Sequence, residues 1–160
     1  MIHDVGEFVQ FLNGVRKRTM QYVTVVPNSI LEWKPAEGKF STGELLRHLG
    51  STQLMYLHAF EHGKWIYPGH DNSKGDSIEE ISRYLEVCHT RLVERLLALG
   101  NHLLEKKIPT LHGHEVRSWR IMMALVEHEI HHRGQLSTYL QMNMIEPPQI
   151  FGLKIEQVEQ

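Results

Sequence analysis

The chain has 160 residues, with 17 Lys+Arg against 19 Asp+Glu and a formal charge of -2, the size of one ordinary domain able to bury a core unaided. That balance excludes the basic footprint of a nucleic-acid binder and an anionic-membrane patch. The opening MIHDVGEFVQFLNG lacks the order of a secretory signal, no apolar run approaches the roughly 18 residues of a membrane span, and the one cysteine, Cys88, cannot form an intrachain disulfide, so a cytoplasmic protein is expected.

The first helix is predicted from Asp4, with Glu7 three residues on, and repeats Phe8, Leu12, Val15, Thr19 and Tyr22 before Pro27 closes it. After a loop at Pro35 to Gly38, a second opens at Ser41 with Glu44 completing a capping box and Phe40 placed to staple against Leu45. Its buried stripe is Leu45, Leu49, Thr52, Tyr56 and Ala59. A loop from Pro68 to Gly75 leads to a third helix, capped by Ser77 with Glu80, which runs Ile81, Leu85, Cys88, Leu92, Leu96 and Leu99 to a stop at Gly100. Cys88 is read as a core residue there.

Beyond a loop at Pro109 to Gly113, the fourth and longest helix is expected from about Glu115 to Met142, carrying Trp119, Met122, Val126, Ile130, Leu136 and Leu140. From Pro147 onward the tail reads as irregular or as a short turn. No β alternation and no repeat stands out. The prediction is an all-α four-helix bundle, a single domain over 1–160, with any site built from side chains on facing helices.

Histidine is the anomaly: 12 are present, with no terminal run of them. In EHEIHHRGQL, His128 and His132 lie about 40° apart on adjacent turns and can share one ion. Ile121, Leu125, Leu136 and Tyr139 fall beside them on the wheel, whereas His131 joins an outer polar stripe with Arg117, Arg120, Glu127 and Gln135. Two histidines do not complete a zinc-type site, which takes three or four protein ligands. His48, at the edge of the second helix's apolar stripe, is the best-placed third.

The other histidines are weaker candidates. His58 and His62 share the i, i+4 spacing, but His58 falls on the polar side with Arg47 and Ser51, and His62 is at the helix end, where it would complement the helix dipole. His70, His112 and His114 lie in or beside loops as surface or supporting groups, and His3, His89 and His102 have no paired spacing.

Read literally, His128 to His132 also spells the metalloprotease pattern HExxH. The extended form fails at Gln135 and Thr138, and Glu146 and Glu156 have no helical scaffold to present them as a further ligand. Glu129 precedes Arg133 by four residues, the favourable order for an intrahelical ion pair.

The segments GELLRHL, VEHEIHHRGQLSTYL and PPQIFGL, with the Trp33-Lys34-Pro35 lead-in, resemble the DinB-like (damage-inducible) four-helix-bundle proteins over nearly the whole chain. The resemblance implies a metal triad of one histidine from the second helix and an HxxxH pair from the fourth, carried here by His48, His128 and His132, with zinc, nickel or iron equally suited. It further implies a homodimer, which Gly134 would permit by close helix approach, inside or between chains. As for activity, it implies a small-molecule substrate and a transferase that conjugates a low-molecular-weight thiol, such as bacillithiol, mycothiol or glutathione. A metal-dependent hydrolase, or a non-catalytic stress-response or binding module with a structural metal, are the alternatives, and the residues do not name catalytic groups beyond the triad.

Overall fold

The computed structural model describes residues 3–152 and 157. Four long helices dominate: α1 (Val5–Val23), α2 (Thr42–His62), α3 (Ile78–Leu99) and α5 (Ser118–Met142), with a one-turn helix α4 (His102–Glu105) before the last. The local starts follow the caps. Ser41 and Glu44 form a reciprocal capping box, while Asp4 and Ser77 each accept the backbone N–H of the residue three positions on. At those two starts the glutamate reaches one residue further back, Glu7 to the His3 N–H at 3.0 Å and Glu80 to the Asp76 N–H at 2.8 Å.

The start of α5 differs from expectation. Glu115–Arg117 (β2) pairs antiparallel with Lys107–Pro109 (β1), so a small hairpin occupies what reads as the helix's first turn. Its strands are three residues each, too short for a period-two pattern to stand out. The Ser118 hydroxyl donates to the Leu103 carbonyl and locks the first turn of α5 onto α4.

Two apolar clusters show how the helices run. One joins Val5 to Val15 of α1, Leu57 to Phe60 of α2, Leu92 and Leu96 of α3, and Ile121 to Val126 of α5; the other joins Tyr22, Leu45 to Leu49, Ile81 with Leu85, and Leu136 to Leu140. The first therefore gathers the starts of α1 and α5 with the ends of α2 and α3, and the second the reverse. Helices α1 and α5 run parallel to each other and antiparallel to α2 and α3. In cross-section α2 packs on α3 and α5, and α1 packs on the same two, so the cyclic order is α1, α3, α2, α5.

That order has a consequence for the site. Because α2 and α3 are parallel neighbours, their connection must return along the bundle by about 30 Å, the length of α2 at 1.5 Å per residue. Residues 63–77 make that return past the N-terminal half of α2. Close packing of α2 on α3 depends on Gly50, where a Cβ would meet the Tyr84 ring at 2.7 Å.

Between the two clusters lies a polar layer. Arg16, Thr19, Gln53, Glu129 and Arg133 are all buried there. Arg16 pairs with Glu129 at 3.4 Å and donates to the Leu85 carbonyl at 2.8 Å; Gln53 donates to Glu129 at 3.0 Å. His89 completes the layer between Gln53 Nε2 at 3.4 Å and Asn13 Oδ1 at 2.8 Å. Glu129 thus pairs across the core with Arg16 rather than along the helix with Arg133, which faces the Val15 carbonyl at 3.5 Å. Arg47 and Ser51, expected on the polar side of α2, are buried as well: Arg47 donates to the Gly75 carbonyl at 2.9 Å and Ser51 meets the Tyr84 hydroxyl at 2.8 Å.

Candidate metal centre

His48, His128 and His132 come together beside the polar layer. Their Nε2 atoms converge: His48 to His128 is 3.0 Å and His132 to His128 is 3.1 Å. An ion held tetrahedrally at ~2.1 Å separates two nitrogens by about 3.4 Å, so modest side-chain movement suffices to admit one. The three form a group able to hold a metal ion, and among the described residues no Cys, Asp or Glu joins them. All three are half-buried.

Their protonation suits that role. Burial, then the neighbouring His132 and His70, pushes His48 down to about 4. Burial, then His132, His48 and His131, pushes His128 to about 3. Burial also lowers His132, against the opposing hydrogen bond to Gln135. Near neutral pH the three imidazoles are uncharged and offer lone pairs to a cation.

Outer contacts orient two of the rings. His132 Nδ1 faces Gln135 Oε1 at 2.9 Å, Gln135 Nε2 donates to the Tyr139 hydroxyl at 3.0 Å, and that hydroxyl donates to the Phe40 carbonyl at 3.1 Å. The carbonyl can only accept, so the chain of donors runs one way. It places the proton on Nδ1 of His132 and leaves Nε2 bare, the arrangement common to metal-binding histidines. On the other side, His48 Nδ1 lies 2.8 Å from the Tyr67 hydroxyl, which lies 2.8 Å from His70 Nδ1. Burial raises Tyr67 to about 12, so its hydroxyl keeps a proton to share between them. The Phe40 ring packs against both His48 and His70, and Tyr56 stands near His128.

The remaining histidines separate as the wheel suggested in part. His131 is exposed, and His112 and His114 are exposed at the hairpin turn. His70 joins the centre through Tyr67, and His89 belongs to the inner layer. Gln135, expected on the outer polar stripe, turns instead to His132; Tyr139 lies beside the pair as the wheel places it, and Tyr67 has no part in the sequence reading. Gln135 and Tyr139 carry a local signal, at i+3 and i+7 from His132, whereas Tyr67 reaches His48 only because the return loop passes it. Glu129, the glutamate of HExxH, is 1 % exposed and turned into the core on Arg16; it does not face the triad, and the protease pattern has no general base there.

The model of the DinB superfamily matches residues 12–136, a span that includes α2 and most of α5 with all three histidines. The chain belongs to that family. It is 26% identical over 141 residues to YjoA of Bacillus subtilis, an uncharacterized protein, covering 84% of this chain and 88% of that one. Among solved structures, a DinB-like protein of Bacillus cereus superposes with a TM-score of 0.78 at 19% identity, over 94% of this chain and 100% of the other. YfiT of B. subtilis superposes with a TM-score of 0.72 at 15% identity, over 89% of each chain, and is described as a probable metal-dependent hydrolase with an unusual four-helix bundle topology. These likenesses establish the fold. No helix among the described residues is long and apolar enough to cross a membrane.

Proposed function

We propose that this protein is a metal-dependent transferase in which His48, His128 and His132 hold one divalent ion, zinc, nickel or iron, and a low-molecular-weight thiol is joined to a small electrophile. The observation that carries the reading is the convergence of three neutral Nε2 atoms with no acidic partner among the described residues, which leaves coordination positions for small molecules rather than closing the site. When bound, the cation would favour the thiolate over the thiol, the form that acts as nucleophile.

The chain's own groups would do the rest. Gln135 and Tyr139 hold His132 in one tautomer, and Tyr67 with Thr52 steadies His48. Phe40, Tyr56 and Tyr67 supply aromatic surface against which a small substrate can be placed. Cys88 does not supply the thiol: it is 1 % exposed and burial raises its thiol above the ordinary range. In the reaction the thiol sulfur forms a bond to the electrophilic carbon, its proton passes to solvent, and the leaving group departs with the displaced electron pair.

Metal-dependent hydrolysis is the second reading, favoured by the description of YfiT. Metal-loaded protein incubated with 1-chloro-2,4-dinitrobenzene, and separately with an activated ester, in the presence and absence of bacillithiol, mycothiol or glutathione separates the two. Conjugation that needs both metal and thiol and disappears in His128→Ala supports transfer; ester cleavage that needs metal alone supports hydrolysis; turnover indifferent to metal ends both. A homodimer is part of the same proposal. Gly134 is exposed, with nothing within 4 Å of where its Cβ would stand, so no helix of the same chain uses its small size.

A further inference from the structure

We infer that His58 and His62 form a second, weaker site for a divalent cation of the imidazole-binding class, on the outer face of α2 and separate from the triad. The stretch His58-Ala59-Phe60-Glu61-His62 reads HxxEH, a pattern in which both histidines can ligate one ion from adjacent turns. The rings confirm the placement: their centroids are 4.7 Å apart, against 4.3 Å for His128 and His132 at the same spacing.

Local backbone prepares one of the donors. Gly63 ends α2 in the left-handed conformation, with φ 67, and turns the chain so that the Lys64 carbonyl lies 2.8 Å from His58 Nδ1. A carbonyl only accepts, so Nδ1 carries the proton and Nε2 is left bare. A ring nitrogen anchored to a backbone carbonyl with the other nitrogen free is the usual state of a metal-binding histidine.

The alternative role, complementing the negative end of α2, is already filled. Lys106 Nζ lies 2.7 Å from the Phe60 carbonyl and 3.3 Å from the Glu61 carbonyl. The histidines are therefore free of that duty. Glu61 lies beside the pair without joining it as a third ligand: Arg95 holds Oε1 at 2.5 Å, and Oε2 lies 3.7 Å from His62 Nε2. His58, His62, Lys64 and Ile66 line a surface cavity of about 470 Å³ around the pair. Two imidazoles rather than three, with the Lys64 and Arg95 charges close by, make this the weaker site. Copper(II) is its best probe, since it heads the divalent affinity order for nitrogen donors.

The test is a titration of the full chain, free of any histidine tag, with Cu²⁺, followed by calorimetry and electron paramagnetic resonance. Wild type is expected to take two equivalents, one tight and one weak. His58→Ala with His62→Ala should remove the weak equivalent, whereas His48→Ala with His132→Ala should remove the tight one and leave the weak one bound by two nitrogens. Lys64→Gln should tighten the weak site. Wild type and the His58→Ala, His62→Ala variant saturating at the same number of equivalents, or a weak equivalent that survives loss of His58 and His62, overturns the inference. Both of those residues sit at the surface, so that comparison does not depend on whether the triad variant folds, and it holds whether or not the triad turns out to be catalytic.

Discussion

One turn of α5 faces two ways. His128 and His132 look toward His48 at a half-exposed surface, while Glu129 and Arg133, interleaved with them in sequence, look into the core. On the outer side the groups are held neutral, with lone pairs directed at a common point. On the inner side the polar groups are compensated by one another, Glu129 by Arg16 at 3.4 Å and by Gln53 at 3.0 Å. The difference reflects solvent. A buried charge must be paired where it stands, whereas a half-exposed imidazole can give up its charge and await an ion. Gln53 bonds Glu129 and follows Thr52, which lies 3.4 Å from His48 Nε2, so the closed side also braces the two helices that carry the open one.

The largest expected effect is on the closed side. Glu129→Ala leaves Arg16 charged and unpaired in the core and should cost about 3–5 kcal/mol of stability, measured by urea unfolding. Replacing both partners, Arg16→Met with Glu129→Leu, should recover most of that loss; a double variant as unstable as the single would show that the pair's charge is not what matters.

Gln135→Leu probes the open side. It removes the partner that fixes the His132 tautomer and should weaken metal binding about 10–100-fold, followed by competition with a chromophoric chelator, while the metal-free protein unfolds at nearly the same urea concentration. Equal losses in stability and affinity would erase the distinction between the two faces.

His89 links the layer to pH. Burial, then Arg16, with Glu129 opposing, lowers it to about 4, below the ~6.5 of an unfolded chain. The unfolded state therefore binds more protons between those values, and the stability that neutral His89 contributes is complete above pH ~6.5 and is lost as pH falls toward 4. Compared with His89→Gln, wild type should lose stability more steeply across that interval; parallel profiles would place the acid sensitivity elsewhere.

The smallest effect concerns the exposed back of α5. Gly134→Ala should stabilise a monomer by about 0.5–1 kcal/mol through helix propensity alone, since its Cβ meets nothing. A loss that grows with protein concentration would instead mark Gly134 as a contact between two copies.

Much of this was legible in the residues because it is local. Ser41 with Glu44, Asp4 and Ser77 announce helix starts through bonds spanning three residues, and the apolar repeats of α1 and α3 match their buried faces. His48, His128 and His132 stood out by wheel angle and by resemblance. The hairpin of Lys107–Pro109 with Glu115–Arg117 did not, since three-residue strands carry too little pattern, and the Glu129–Arg133 pairing was misjudged because a wheel gives an angle without naming the partner across the core.

The sequence by itself determined where α1, α2 and α3 begin and which histidines can share a turn, because capping, periodicity and i, i+4 proximity act within a few residues. Only the tertiary structure decided that α1 and α5 run parallel and opposite to α2 and α3, that Glu129 belongs to Arg16, and that Tyr67 stands against His48. Each of those contacts joins residues far apart in the chain, 113 positions in the case of Arg16 and Glu129, and depends on how whole faces are buried together. The return loop is the clearest case: nothing local directs Tyr67 toward a histidine 19 positions earlier, but two parallel helices require their connection to travel back along the bundle, and that path brings it there.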